Sequence, residues 1–451
     1  MPQSSKKVIN AWCLYDWANS AYNLVITSTM FPAYYEFVTR NPQTNDQVRF
    51  LGRNFVNTAL YNYALGAAFI VVALISPVLT AIADTRGNKK NFMRFFCIMG
   101  SIACTTLYFF APAETAQGTS LSTGILHFGI FSMIISCIGY WASLVFYNSY
   151  LPDLVEKHNR DRISARGFTF GYIGSVLLQI VCFIIYFFPD TFGFHTQFDQ
   201  NHMPARVAFL LVGVWWFSFA QISFSYLPQG NINRNVSSGN VFKTGFRELK
   251  KVWNQVKHLP VLKRFLYSYF WYSAGIQTVF LASTQFGAKE LQLETTKLII
   301  TIMIIQLVAI PGAILISRLS EKFGNISTLI GVVMVWVAVC AYGYFITSDI
   351  EFYILGAVVG LVMGGIQAVS RSTYANLMPP TEDTASFFSF FDVTEKIALV
   401  MGMFSFAYVE ELTGSMRNSV LALMVFFFIG LLLLIWTLNT KRKAERALIS
   451  K

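Results

Sequence analysis

Charged side chains are scarce in this chain, and the few inside its apolar runs are where chemistry is to be sought. The stretch Tyr15-Asp16-Trp17-Ala18-Asn19-Ser20-Ala21-Tyr22-Asn23 puts an acid and two amides into the first run. Asp16, Asn19 and Asn23 recur at i, i+3 and i+7 and are expected on one helix face. At 1.5 Å per residue, Asp16 would lie about 10 Å into a bilayer. A carboxylate there is costly and marks a functional position. A second group lies far down the chain, with Gln367 and Arg371 in one run and Asp392, Glu395 and Lys396 in the next. Arg371 and Asp392 come out at the same depth, about 8 Å from one surface. The spacing therefore predicts a buried Arg371–Asp392 ion pair, with Lys396 sharing the network from four residues on. Tyr147 and Asn148 at the end of the fourth run, and Gln277 in the middle of the seventh, add neutral hydrogen-bonding groups. A buried amide must find a partner in a solute or in another helix. The chemistry open to this set is recognition of a small polar solute, with Arg371 suited to a carboxylate and Asp16 to an ammonium. No Gly-rich phosphate loop is present. The five histidines are scattered, and the six cysteines lie inside apolar runs without metal-ligand spacing. No cofactor and no metal is expected.

The elements that position these residues follow from composition. The chain is 55% hydrophobic and 13% charged, against about 25% charged in an ordinary soluble domain. Twelve apolar segments can be drawn: Ile9–Phe37, Val56–Ile82, Phe92–Pro112, Gly124–Ser149, Gly167–Phe188 and Val207–Leu227, then Phe265–Gly287, Lys297–Ile316, Ile326–Ile346, Phe352–Asn376, Phe387–Tyr408 and Asn418–Leu438. The expected fold is all-α and polytopic, with helices crossing a membrane. Continuous, non-alternating runs exclude a β-barrel. With the N-terminus inside, 25 of the 34 Lys and Arg residues fall in inside segments, so both termini are expected in the cytoplasm. The net charge of +11 is then a topology signal, and no nucleic-acid partner is expected. Residues 1–228 and 265–451 read as two six-helix halves. Residues 229–264 read as a connector whose Phe242, Phe246, Leu249, Trp253 and Val256 form one apolar face of a helix lying on the inner leaflet.

A charged loop, Asp84-Thr85-Arg86-Gly87-Asn88-Lys89-Lys90, follows the second segment. It has a weaker copy, Glu321-Lys322-Phe323-Gly324-Asn325, after the eighth. Corresponding loops in two halves point to an internal repeat. Asp84 is expected to approach the start of the eleventh segment, whose free N–H groups favour an anion. Arg86 and Lys90 are expected to stay near the surface. With Gly87, Asp392 and Lys396 these residues form a candidate gate.

Six plus six segments with this loop after segments 2 and 8 resemble the major facilitator superfamily. Tyr15–Tyr22, Ser164-Ala165-Arg166-Gly167, Gly275-Ile276-Gln277-Thr278 and Gln367-Ala368-Val369-Ser370-Arg371-Ser372 together resemble its vacuole-effluxer (autophagy-related protein 22-like) branch. The resemblance implies two six-helix bundles around a midplane site lined by segments 1, 4, 7 and 10. It implies a secondary transporter of a small polar solute, an amino acid among the candidates, working by alternating access in the direction of efflux. Asp16, Asn19, Tyr147, Asn148, Gln277, Gln367 and Arg371 would touch the solute, and protons would be the coupling ion. A monomer in a bacterial inner membrane is expected rather than a vacuolar protein. Family members often carry an acid just before the Gly of the segment 7 motif, where this chain has Ala274. A non-transporting sensor and a lipid-modifying membrane enzyme remain as readings from other classes.

Overall fold

Apolar runs of this length must satisfy their backbone within each run, and helices do so. The computed structural model describes residues 4–41, 46–86, 88–115, 118–229 and 241–449. The first half contains α1 (Lys6–Ala21), a π-helical turn (Tyr22–Thr29) and α2 (Met30–Thr39) as one continuous passage. It goes on with α3 (Asn57–Arg86), α4 (Lys89–Thr106), α5 (Thr123–Ser149), the short α6 (Leu151–Leu154), α7 (Arg160–Phe187) and α8 (Gln197–Tyr226). After α9 (Val241–Lys257) the second half runs α10 (Pro260–Glu290), α11 (Thr295–Phe323), α12 (Asn325–Phe345), α13 (Asp349–Leu377), α14 (Thr384–Thr413) and α15 (Met416–Ile449). Two small antiparallel hairpins, Gln47–Phe50 with Arg53–Val56 and Ala113–Thr115 with Gly118–Ser120, lie in loops.

Among the described residues, nine helices are long and apolar enough to cross a membrane. Three further long passages fall short of that measure: Lys6–Thr39, α10 and α14. They carry Asp16, Gln277 and the Asp392–Lys396 group. The long helices alternate in direction, so the start of α1 and the end of α15 lie on one side, the terminal face.

Small residues set how closely these helices meet. A Cβ on Gly139 of α5 would stand 2.5 Å from the Gly100 Cα of α4. Gly139→Val should therefore lower the melting temperature in detergent by several degrees, an overpacking cost of about 1–3 kcal/mol. Gly124→Val, with open space around its Cβ, should leave the melting curve in place.

α9 is helical as expected, but it packs on protein. Val252 and Val256 are fully buried, and the helix rests on α3, α14 and α10. Lys251 reaches Asp383 at 2.9 Å, and Trp253 stacks on Phe390 at 5.9 Å. Val252 stood outside the apolar stripe read from the sequence. Its burial shows that the protein-facing stripe is rotated toward α3 and α14. The side chains of Phe242 and Phe246 lie outside the described residues.

Candidate functional site

Both halves wall a central cavity of about 150 Å³. A void of that size admits a small organic molecule. Asp16, Ser20, Asn23 and Thr27 of the first passage line it. The π turn carries Asn23 and Thr27; Thr29 Oγ1 bonds back to the Leu24 carbonyl at 2.8 Å. Across the cavity stand Gln277 of α10, Gln367 and Arg371 of α13, and Asp392 and Glu395 of α14; Asn148 of α5 closes one side.

Asn19 is not on this wall. It is fully buried and its Oδ1 accepts from Ser20 Oγ at 3.4 Å. At about 100° per residue, i+3 lies about 60° behind residue i, whereas i+4 and i+7 lie within about 40° of it. The cavity face is therefore Asp16, Ser20 and Asn23. Tyr147 is also off the cavity. Its ring stacks on Trp12 with centroids 4.5 Å apart, and its hydroxyl donates to Asp16 Oδ2 at 2.7 Å. It holds Asp16 in place from behind.

Arg371 crosses from the second half into the first. Its Nε donates to Ser164 Oγ at 2.9 Å, Nη2 to the Ser164 carbonyl at 2.8 Å and Nη1 to Asn148 Oδ1 at 3.0 Å. Nη1 lies 3.6 Å from Asp16 Oδ2. The guanidinium also faces the ring of Phe168, 4.3 Å from its centroid. Arg371 and Asp16 are 4% and 5% exposed, so each needs the other: a lone buried charge is strongly unfavourable. The ion pair expected between Arg371 and Asp392 does not form. The side of α13 that meets α10 and α14 is Ser370 and Tyr374, bonded to Tyr272 and to the Phe387 carbonyl. Arg371 is turned about 100° from Ser370, toward α7. Equal depth placed Arg371 and Asp392 on one level but not on facing sides.

Gly167 makes this crossing possible. A Cβ there would stand 2.9 Å from Asp16 Oδ2, 2.9 Å from the Tyr147 hydroxyl and 3.2 Å from Arg371 Nη2. In the Ser-Ala-Arg-Gly motif the contributors are thus Ser164 and Gly167. Arg166 is exposed.

Asp392 pairs instead with Lys396, Oδ1 to Nζ at 3.2 Å. Lys396 is 3% exposed, with its ammonium 3.6 Å from the ring centroid of Trp141 on α5. Glu395 accepts from Gln277 Nε2 at 2.6 Å. Trp141, Tyr140, Phe168 and Tyr269 also line the cavity. Sequence reasoning missed them because aromatic residues are frequent throughout the chain, 16% in all, and spacing alone does not pick out the inward ones.

The loop residues of the candidate gate lie on the terminal face, whereas Asp392 stands on the cavity wall with Lys396 paired to it and so belongs to the cavity. Asp84 accepts from the backbone N–H groups of Ala385 at 3.1 Å and Ser386 at 2.7 Å, in the first turn of α14, as expected. Lys89 lies 3.6 Å from Asp84 and 2.9 Å from Asp153, and bonds Thr384. Lys90 donates to the Leu227 carbonyl at 2.8 Å. The side chain of Arg86, and Gly87, lie outside the described residues. The second loop works with the acid on the other partner. Glu321 is exposed, and the loop's Ser320 and Asn325 donate to Asp161 in the first turn of α7 at 3.0 and 2.6 Å. Arg160 adds a bond to the Ala375 carbonyl at 2.6 Å. Polar links between the halves thus gather on the terminal side of the cavity. Toward the opposite face the halves meet through Leu65, Phe69, Cys137 and Leu399.

The architecture recurs in solved structures. The proton:xylose symporter XylE shares it with a TM-score of 0.69 at 13% identity, over 96% of this chain and 95% of its own. The human organic anion transporter MFSD10 does so with 0.67 at 14% identity, over 95% and 99%. At these identities the likeness is one of fold, the major-facilitator fold of two six-helix bundles. Nearer in sequence is a Bacillus subtilis protein, YxiO, described as an uncharacterized MFS-type transporter, 29% identical over 94% of this chain and 93% of its own length. Autophagy-related protein 22 of Kluyveromyces lactis is 26% identical over 96% and 93%. The family model "Vacuole effluxer Atg22 like" matches residues 4–448, which takes in every element of the cavity and of the gate. This multi-pass membrane protein belongs to the Atg22-like vacuole effluxer family.

Proposed function

We propose that the protein is a secondary transporter that moves a small polar solute by alternating access about the central cavity. The observation that carries this reading is the cavity's construction. Both halves wall it, polar groups from each face it, and the polar links that hold the halves together gather on its terminal side. Rocking the halves about such a site is how this architecture exposes it to each side in turn. Residues 1–228 and 265–451 are the moving bodies and 229–264 the connector. The cation distribution supports a cytoplasmic terminal face and a bacterial plasma membrane. The family's name supports efflux. Amino acids are the first solutes to try, because their ammonium group suits the acids that line the cavity. Protons are the proposed coupling ion, the chain is proposed to act as a monomer, and no enzymatic role is proposed.

Flux in proteoliposomes tests the reading. Asp16→Asn keeps the shape of the side chain but removes the charge that Arg371 and Tyr147 hold, so solute flux should fall at least tenfold while the purified variant elutes as the wild type does. Equal flux through Asp16→Asn, or no flux of any small solute through the wild type, contradicts it.

A further inference from the structure

We infer that the cavity selects a small organic cation, an ammonium group carried on an apolar body, and that Glu395 is the residue that meets the positive charge. The inference rests on the cavity as the solute site and names the class of solute.

The charges come first. Asp16, Asp392 and Glu395 line the cavity together with Arg371. Asp16 has Arg371 beside it and Asp392 has Lys396. Among the described residues no cation stands within ion-pair distance of Glu395, whose partner is the neutral amide of Gln277. These five groups sum to one negative charge, and a single ammonium brings the sum to zero. In a medium of low dielectric that balance decides what enters.

A second observation points the same way. Asp392 is 8% exposed, and its Oδ2 is buried without a hydrogen-bond partner. Oδ1 is taken by Lys396. One face of the second half thus presents an unpartnered carboxylate oxygen of Asp392 one helical turn from the uncompensated Glu395. Buried acceptors without donors are costly, and an N–H-bearing cation supplies donors to both.

The aromatic walls fit the body of such a solute. Trp141, Tyr140, Tyr269 and Phe168 surround the space. The protein already holds one ammonium this way, with Lys396 Nζ between the Trp141 ring and Asp392. Aromatic faces attract cations most strongly when water is excluded. Arg371 does not offer an equal site for an anion. Its Nε, Nη1 and Nη2 all donate to Ser164 and Asn148, and Asp16 lies beside Nη1.

Isothermal titration of the full purified chain tests this, with 2-phenylethylammonium as probe, 2-phenylethanol as its neutral counterpart and phenylacetate as the anion. The ammonium should bind at least tenfold more tightly than either. Glu395→Gln, which keeps an oxygen for Gln277, should weaken ammonium binding at least tenfold and leave 2-phenylethanol within threefold. Glu156→Gln, the same charge change at a partly exposed remote position, should change nothing. Equal binding of the alcohol or the anion to the wild type overturns the inference without any variant, and so does unchanged ammonium binding in Glu395→Gln. A probe that binds as expected but is not carried across proteoliposomes leaves the cation site standing and removes transport. A different solute carried without cation preference does the reverse.

Discussion

Replacing Arg371 by methionine should destabilise the protein more than any other single change at the cavity, by about 3–5 kcal/mol. The side chain leaves behind a carboxylate, Asp16, that is 5% exposed and keeps only the Tyr147 hydroxyl. It also takes away the donor to Asn148 Oδ1, which accepts from the guanidinium. A lysine should not restore stability, since one ammonium cannot reproduce a fork that bonds through Nε and both terminal nitrogens. The charge is the larger part of the loss, so removing Asp16's charge as well should recover part of it. Asp16→Asn/Arg371→Met should melt at a higher temperature than Arg371→Met alone, in the same detergent. Strict additivity of the two single effects would show that the pair is not coupled.

The second large effect is on conformation. Asp84 binds two backbone N–H groups at the start of α14, with its side chain 2% exposed and Lys89 beside it. Two charge-assisted bonds at a helix N-terminus contribute about 3 kcal/mol together. Losing them in Asp84→Ala should shift the balance between the two faces by a factor on the order of 100. Spin labels on Lys157 and Lys322, exposed residues of opposite halves on the terminal face, should move apart in their distance distribution. Asp161→Ala should act in the same direction but less, because Asp161 is held by a hydroxyl and an amide. Unchanged distances in Asp84→Ala contradict the latch.

How far the residues themselves foretold this can be judged from individual cases. Helical runs were legible because lipid leaves the backbone no alternative. Asp84 was legible because an acid beside a helix start has one good partner. Asn148, Gln277, Gln367 and Arg371 were legible as polar groups that hydrocarbon would not tolerate, and all four line the cavity. What a single sequence does not carry is rotation and partner choice. Arg371 and Asp392 share a depth, but α13 presents Ser370 and Tyr374 to α14 and sends Arg371 the other way. Asn19 shares a turn with Asp16 but sits about 60° off the cavity face. The repeat was legible in its loops, but the acid of the second copy had moved from Glu321 to Asp161, 160 residues earlier. Val252 escaped notice because its burial depends on α3 and α14, which the local pattern of α9 does not contain.

The central claim is that one cavity is exposed to each side in turn. Ser273 lines it and can be made the only reactive thiol by replacing the six buried cysteines. A small membrane-impermeant methanethiosulfonate reagent is then applied to intact cells and to inside-out vesicles. With the terminal face closed, Ser273→Cys should react from outside and be protected from inside, and adding Asp84→Ala should reverse that order. Reaction from the same side in both backgrounds, or from neither, would contradict the account.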